Sequence, residues 1–294
     1  MFVNAIKEVT KFTRPMQSIV RHYGNNEIVP GLSTLFFVND QGAAVTCKHV
    51  AQLIINSEAA NKKYRGFKQE AVQLKNDLTR QQNLIALEKK YGYRLETIVQ
   101  VKNNFMGCVD KYSHLTVHLH KTLDLAILKF EGFEKTLYTS HATFLKDPSK
   151  IEPGKTLCRL GYPFPEFKNF NHVSETDDIV FDNSKQAVVP FFPIEGMITR
   201  NIAENNALTG IEMSTPGLRG QSGGPLFDKN GVVYGMQQST KHLHLGFDLE
   251  EKTILVNGRR KKVSDYAFLH LGQCIRADVI TAFLKEHKVV YHEA

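Results

Sequence analysis

Two β-hairpins of the same kind, far apart along the chain, constrain the fold more than any other feature of the sequence. The first spans residues 32–46 and turns at 39–42, and the second spans residues 225–235 and turns at 228–231. In each, a polar turn that ends in glycine separates two runs of β-prone residues, a pattern that is typical of a hairpin. Two similar hairpins predict two similar all-β halves.

Other short segments between the two hairpins support an all-β fold. They are alternating or β-branched, as strands are, and they cover 115–120, 123–130, 156–160 and 196–200. This pattern is typical of barrels or sandwiches and does not fit a βαβ repeat. The chain has 294 residues, of which 42% are hydrophobic, so it can bury a large core. Its longest apolar runs fall far short of the roughly 20 residues that a membrane helix needs, so we expect no membrane span.

One segment departs from the β pattern. Between residues 66 and 91 an apolar stripe recurs at helical spacing, with charged and polar residues between its members, which are Phe67, Ala71, Leu74, Leu78 and Ile85. This spacing predicts an amphipathic helix inserted into the first half. Packing of the stripe on the protein's own body is favoured, because Gln81 and Glu88 interrupt the seam of a coiled coil. A regulatory protein partner bound through this helix remains the alternative. Residues 278–285 predict a second helix near the C-terminus.

The formal net charge of +7 comes from 37 basic against 30 acidic side chains. The excess is concentrated between residues 58 and 102 and in the run 259–262. Charge runs alone specify no partner, so a solvated surface is favoured for both clusters. Neither cluster is interleaved with the aromatic residues that stack on bases, and we therefore do not expect nucleic acid as a partner.

The cysteines and the N-terminal residues bear on the compartment. The four cysteines are widely spaced and form neither a disulfide framework nor a zinc motif: Cys47, Cys108, Cys158 and Cys274. We expect reduced, mostly buried thiols. The first residues contain no basic segment followed by an apolar stretch and a cleavage site, so we expect no signal peptide and a cytoplasmic location.

The strongest local motif is the glycine-rich run of residues 220–224, Gly-Gln-Ser-Gly-Gly, with Ser222 at its centre. Glycines beside a serine can adopt positive φ and turn several backbone N–H groups toward one point. Such N–H groups stabilise the oxyanion of a tetrahedral intermediate in acyl transfer. The motif makes Ser222 a candidate nucleophile, and a tight Gly/Ser turn without chemistry is the alternative.

A histidine and an acid stand in positions that suit this serine. His49 follows the first hairpin directly, at a strand end, and Asp124 lies inside the apolar run 123–128. A carboxylate in an apolar strand is costly to bury unless a partner such as an imidazole N–H is present. The order His49, Asp124, Ser222 is that of chymotrypsin-type triads, and it puts the first two residues on one half and the serine on the other.

Two other interpretations of these residues are weaker. The Gly-x-Ser-x-Gly pattern around Ser222 also fits the nucleophile elbow of α/β-hydrolases, but there the acid and histidine follow the serine and strands alternate with helices. A metal site could be built from His114, His118 and His120, or from His242 and His244, yet no Cys, Asp or Glu at ligand spacing joins them. We expect no metal and no cofactor.

Taken together, these blocks resemble the trypsin-like serine peptidases, specifically their HtrA-like branch. The resemblance runs in order over residues 46–50, 123–128, 152–164, 196–199 and 219–235. We expect no PDZ domain, and the helical insertion after His49 is extra, so the oligomerisation of that branch is not carried over.

The resemblance implies an all-β fold of two six-stranded antiparallel β-barrels with the active site in the cleft between them. Residues 1–150 would form the N-terminal half, which carries His49, Asp124 and a helical insertion at about 51–100. Residues 151–294 would form the C-terminal half, which carries Ser222 and ends in a helix.

The resemblance also assigns roles to the site residues. His49 would act as general base and then acid, Asp124 would orient its imidazole, and Ser222 would attack the scissile carbonyl. The backbone N–H groups of Gly220 and Ser222 would form the oxyanion hole. The residues implied to run beside the substrate are Met236, Gln237 and Gln238, with Met236 in the pocket for the residue before the cut.

Pro216 bears on specificity, because it lies where an acid in trypsin-like members selects Lys or Arg. With no acid there and Met236 nearby, an apolar or small side chain is expected. The function implied is that of a serine endopeptidase, which cuts a protein or peptide substrate through an acyl-enzyme intermediate. The alternative is a catalytically silent peptidase-like module that binds a protein or nucleic-acid partner.

Overall fold

The computed structural model describes residues 1–75, 79–182, 184–185, 189–256 and 258–294, which are mainly β-strands with four α-helices. The helices are α1 (Val3–Val9), α2 (Lys48–Val72), α3 (Arg80–Tyr91) and α4 (Ala277–Glu286). A 3₁₀ turn covers Pro148–Lys150. Among the described helices, none is both long and apolar enough to cross a membrane. The all-β class predicted from the hairpins is confirmed, and the predicted C-terminal helix is α4.

The first sheet is antiparallel and has six strands: β1 (Thr13–His22), β2 (Ile28–Phe37), β3 (Ala43–Thr46), β4 (Ile98–Phe105), β5 (His114–Leu119) and β6 (Ala126–Glu131). The strands lie in the order β4-β1-β2-β3-β6-β5. Phe36, Phe37 and Ile127 are wholly buried in the core that this sheet encloses. The end of β3 and the start of β6 are neighbours, which matters for the site below.

The second sheet has eight strands: β7 (Thr143–Phe144), β8 (Thr156–Gly161), β11 (Phe192–Glu204), β12 (Ala207–Met213), β13 (Pro225–Phe227), β14 (Val233–His244), β17 (Phe268–Arg276) and β18 (His292–Glu293). Six of them close into an antiparallel barrel, because β13 pairs with both β8 and β14. The short strands β7 and β18 add parallel pairings beside β14. A six-stranded barrel in this part of the chain is what the resemblance implied.

Four strands form two hairpins outside these sheets: β9 (Phe170–Val173) with β10 (Asp178–Phe181), and β15 (Leu249–Val256) with β16 (Arg259–Asp265). The β15–β16 hairpin connects the end of β14 to the start of β17. Almost all of its residues are exposed. The basic run 259–262 therefore lies on a solvated strand, as the charge pattern indicated.

Both hairpins predicted from the sequence are present, as β2–β3 and β13–β14. Phe36 pairs with Val45 in the first of them. The glycines that end the two turns, Gly42 and Gly231, have φ of 78° and 83°. Glycine adopts this left-handed conformation without a steric penalty, so the turn residues that predicted the hairpins also explain them.

The helical insertion differs from the single helix predicted over residues 66–91. It contains two helices, and α2 begins at Lys48, directly after β3. The early start follows from burial, because Val50 and Ala51 in the first turn of α2 pack into the core of the first sheet. The second helix, α3, ends where Gly92 adopts a φ of 68°.

The insertion packs on the protein's own body, as favoured from the sequence. Phe67 of the apolar stripe is buried in a satellite cluster that also contains Tyr64, Leu87, Tyr93 and Val99. Val99 lies on β4, so this cluster joins both helices to the edge of the first sheet. Ile85 of the stripe faces solvent, with 58% of its surface exposed, and Leu78 lies outside the described residues.

A polar network fastens α2 to the β9–β10 hairpin. The Tyr64 hydroxyl donates to Asp177 at 2.6 Å, and the buried Arg21 guanidinium forms an ion pair with the same carboxylate at 2.9 Å. His172 Nε2 lies 3.1 Å from Asp177 Oδ1. Burial raises the pKa of Asp177, but the hydrogen bonds from Tyr64 and His172 and the charge of Arg21 outweigh it and hold the pKa below its usual value.

Asp177→Asn should lower the free energy of unfolding by about 1–3 kcal/mol at pH 7, because the buried Arg21 loses its counter-charge while partial exposure of the carboxylate moderates the loss. A depressed pKa in the folded state gives stability that is present above the unfolded pKa of about 3.9 and is lost as the pH falls through the folded value. Urea unfolding at neutral and at acid pH measures the difference. The exposed Asp40→Asn is the control, and an equally large Asp177→Asn effect at both pH values would contradict this account.

Candidate active site

His49 and Asp124 are positioned by the neighbouring ends of β3 and β6. His49 is the second residue of α2, so it lies on a first helical turn and not on a strand end. Asp124 lies in the turn before β6, which begins at Ala126, so the expectation of an acid inside an apolar strand is wrong. The carboxylate keeps 28% of its surface exposed, and burial alone does not demand a partner.

The two side chains nevertheless form a close pair. His49 Nδ1 lies 2.8 Å from Asp124 Oδ2, and the backbone N–H of His49 donates to Asp124 Oδ1 at 2.9 Å. A carboxylate that accepts from Nδ1–H fixes the tautomer and leaves Nε2 with a free lone pair. The pair therefore presents an imidazole that can accept a proton on the side away from Asp124.

A second set of contacts holds the turn that carries Asp124. Lys48 Nζ donates to the His120 carbonyl at 2.8 Å, and the backbone N–H of Leu123 donates to His120 Nδ1 at 3.0 Å. An imidazole nitrogen can accept only when it carries no proton. Burial lowers the pKa of His120, and the charge of Lys48 lowers it further against the opposing effect of Glu286. From the sequence, Lys48 has no role in the site and His120 is a candidate only as a metal ligand; the only signal for their role here was closeness in sequence to His49 and Asp124.

The loop around Ser222 has the backbone that the glycine-rich motif predicted. Gly220 and Gly223 have φ of 94° and 88°. The N–H groups of Gln221, Gly223 and Gly224 all donate within the protein, at 2.9–3.0 Å. In the described part of the chain, the N–H groups of Gly220 and Ser222 have no acceptor. Two unpaired donors beside a serine hydroxyl are what an oxyanion hole requires.

The serine loop rests against the strand next to the one that leads to His49. The Thr34 N–H on β2 donates to the Ser222 carbonyl at 3.0 Å, and the Thr34 hydroxyl donates to the Gly220 carbonyl at 2.8 Å. The Ser222 hydroxyl donates to the Gln238 carbonyl at 3.4 Å, and among the described residues no hydrogen bond joins it to His49. The structure thus brings His49 and Asp124 into contact and leaves Ser222 with a different partner.

An open cavity of about 520 Å³ lies beside Ser222. Besides the serine, its lining consists of residues 216–219, residues 237–240, His242 and His270. Gln237 and Gln238 of the implied substrate-binding set thus line it, as does Pro216. Met236 does not, because it is wholly buried in the barrel core, where it pairs with Pro225 and Ile275. This placement corrects the expectation that Met236 lines the pocket.

The donor set around His49 does not fit a metal ion well. Among the described residues, Cys47, His49 and Asp124 present ligand atoms within 4.8 Å of one another. Burial raises the pKa of the Cys47 thiol well above its usual value, and the charge of Asp124 raises it further. A metal binds the thiolate and not the thiol, so Cys47 is a poor ligand, and His49 Nδ1 is already committed to Asp124.

Comparison with known proteins identifies the class. Residues 33–236 match the family model of the trypsin-like peptidase domain, and the chain belongs to this family. The resemblance to trypsin-like peptidases seen in the sequence is confirmed.

Solved structures that are similar to the chain include two proteases. One is an HtrA-type protease, AlgW, with a decapeptide, at 11% identity over 97% of this chain and 67% of that one, with a TM-score of 0.48. Another is the Rv3671c protease from M. tuberculosis in its active form, at 13% identity over 98% and 86%, with a TM-score of 0.46. No curated protein matches the chain.

Proposed function

We propose that this protein is a serine endopeptidase that hydrolyses peptide bonds of a protein or peptide substrate without a cofactor. In this proposal the N-terminal half supplies His49 as general base and Asp124 as the residue that orients it. The C-terminal half supplies Ser222 as nucleophile, with the N–H groups of Gly220 and Ser222 as the oxyanion hole.

The proposed reaction begins with a rotation of the Ser222 side chain away from the Gln238 carbonyl. The Ser222 hydroxyl then attacks the scissile carbonyl while its proton passes to His49 Nε2. The negative charge that develops on the carbonyl oxygen is stabilised by the two free N–H groups. His49 gives the proton to the leaving amine, an acyl-enzyme remains, and water activated by His49 releases the second product.

One observation carries the proposal: the two contacts between His49 and Asp124, at 2.8 and 2.9 Å. They orient the imidazole in the tautomer that general-base catalysis needs. The free N–H groups of the serine loop and the cavity beside Ser222 support the same function. Membership of a peptidase family makes peptide hydrolysis the reaction to test first.

Asp124→Asn should lower kcat for hydrolysis of an unfolded protein such as casein about 10⁴-fold, because the amide favours the wrong imidazole tautomer. New N-termini, counted by amine labelling, measure the rate. Asp228→Asn is a matched control, since the contacts of this carboxylate with the described residues lie within the turn between β13 and β14. An Asp124→Asn protein as active as Asp228→Asn would contradict the assigned role.

The hydrogen bond from Ser222 to Gln238 favours a second candidate, a catalytically silent module that binds peptides. In that case the wild-type chain would bind an extended peptide and leave it intact, and Ser222→Ala would bind it equally well. Detectable cleavage that Ser222→Ala abolishes would exclude this candidate.

A further inference from the structure

Arg159 is a buried cation without a counter-ion. It lies on β8 with its side chain wholly inside the second barrel. Within the described residues, its acceptors are the Gln237 amide oxygen and the Thr215 carbonyl and hydroxyl oxygens, none of them a carboxylate, and its Nε has no acceptor. Burial lowers the pKa of Arg159, yet a guanidinium keeps its proton in proteins. The barrel therefore holds a positive charge that the surrounding protein does not neutralise.

The guanidinium lies directly behind the wall of the cavity beside Ser222. Arg159 Nη1 donates to Gln237 Oε1 at 2.6 Å, and Nη2 donates to the Thr215 carbonyl at 2.9 Å. Gln237 lines the cavity, and Thr215 precedes its first lining residue, Pro216. Gln237 Nε2 donates onward to the Ser239 carbonyl at 2.7 Å, so the amide is held in one orientation.

Two glycines leave room for this arrangement. A Cβ at Gly272 would meet Arg159 Nη1, and a Cβ at Gly217 would meet the Gln237 side-chain amide. The backbone at Gly272 and Gly217 therefore packs against these two side chains with no space left for a Cβ. Such close packing keeps water away from the guanidinium, and a charge in a water-poor region acts over a longer distance than one in solvent.

The lining of the cavity carries a positive charge of its own, that of Arg219. His242 and His270 also line the cavity and contact each other edge to face, with their Nδ1 atoms 2.6 Å apart. None of the described residues that line the cavity is an Asp or a Glu. The Thr240 hydroxyl is used within the protein, since it donates to the Gly217 carbonyl at 2.8 Å. An entering side chain therefore meets the charge of Arg219 at the lining and the charge of Arg159 behind it.

We propose that this cavity takes the side chain of the substrate residue before the cut and selects an acidic one, so that the enzyme cleaves after Glu or Asp. The inference rests on the proposed function and names its substrate class. A buried cation without a counter-ion is costly, and a carboxylate near it recovers part of that cost, whereas a Lys or Arg side chain is repelled. Pro216 and Met236 led us to expect an apolar or small substrate residue before the cut. Such a residue gains nothing from the charge of Arg159, and Met236 lies outside the cavity.

A matched peptide series tests the proposal without any change at residue 159. Peptides that differ only in carrying Glu, Gln, Leu or Lys before the cut are bound to full-length Ser222→Ala, followed by fluorescence anisotropy, and are hydrolysed by the wild type. Glu and Gln have the same shape, so the charge should favour Glu about tenfold or more in both assays. Leu or Lys bound as tightly as Glu would overturn the inference. If Ser222→Ala prefers the Glu peptide but the wild type hydrolyses no peptide, the proposed function is wrong and the charge selectivity of the cavity is upheld.

Arg159→Met tests the source of the selectivity. Met has a similar volume and removes the charge, and we expect the preference for Glu over Gln to fall about tenfold. Arg200→Met is the matched control, because Arg200 lies on the outside of the same barrel, paired with Glu212. An unchanged Glu preference in a folded Arg159→Met protein, verified by circular dichroism, would contradict the assigned role of Arg159.

Discussion

Exchange of His49 for alanine should lower kcat for peptide hydrolysis about 10⁶-fold, and Ser222→Ala should lower it by a similar factor. Without the imidazole the proposed general base is missing, and without the hydroxyl no acyl-enzyme forms. Because base and nucleophile act as one unit, the double variant should be little worse than either single variant. Turnover of the best peptide of the series above, measured for all four proteins, gives these ratios.

The control for this prediction is His114→Ala, since His114 is an exposed residue at the start of the edge strand β5. It should hydrolyse the peptide at the wild-type rate. A His49→Ala protein that keeps a tenth of the wild-type rate would exclude His49 as the general base. Losses that multiply in the double variant would show that the two residues act independently, against the proposed mechanism.

The second large effect is expected on stability. Gly223→Ala should lower the free energy of unfolding by more than about 4 kcal/mol, a size reserved for severe steric or polar conflicts. Gly223 has a φ of 88°, and a Cβ there would collide with the Thr34 carbonyl oxygen and the Thr46 hydroxyl. Both neighbours are held by their own hydrogen bonds, so the serine loop itself would have to move. Chemical denaturation measures the loss.

Gly154→Ala is a matched control for the steric part of this effect. Gly154 has almost the same φ, 91°, and no atom of the described residues lies within 4 Å of the position its Cβ would take. This variant should lose only about 1–2 kcal/mol, the conformational cost of a left-handed alanine. Equal losses in the two variants would mean that the contact with Thr34 and Thr46 contributes nothing.

The hairpins could be predicted because they depend on local chemistry. Glycine at the turn and β-branched residues beside it act over a few positions, whatever the rest of the chain does. The bounds of α2 could not be predicted in the same way. Its first turn is helical because Val50 and Ala51 are buried by strands distant in sequence, and no periodicity over residues 66–91 contains that information.

The cavity residues illustrate a second limit. Alternate residues of a strand point to opposite faces, so one of Met236 and Gln237 should line the cavity and the other should not. Gln238 nevertheless lines the cavity together with Gln237, and β14 shifts its register against β17 between Gln237 and Ser239. Such a bulge has no reliable sequence signature, and it decides which side chains reach the substrate.

Arg159 is a further sequence signal of function. Arg159 lies inside the strand segment 156–160, a charge among apolar residues just as Asp124 was thought to be. A charge in an apolar run indicates a functional partner more strongly at Arg159, which is wholly buried, than at Asp124, which lies in a turn. The cytoplasmic location and a partner for the helical insertion stay predictions.

The most direct measurement of the central claim is labelling by a fluorophosphonate, which forms a bond to an activated serine oxygen and releases fluoride. Mass spectrometry of the digested protein then locates the adduct. We predict one adduct, on Ser222, in the wild type and in Ser149→Ala, whose serine lies in the exposed 3₁₀ turn, and none in Ser222→Ala or His49→Ala. A wild-type protein without the adduct, or an adduct that survives Ser222→Ala, would contradict the account.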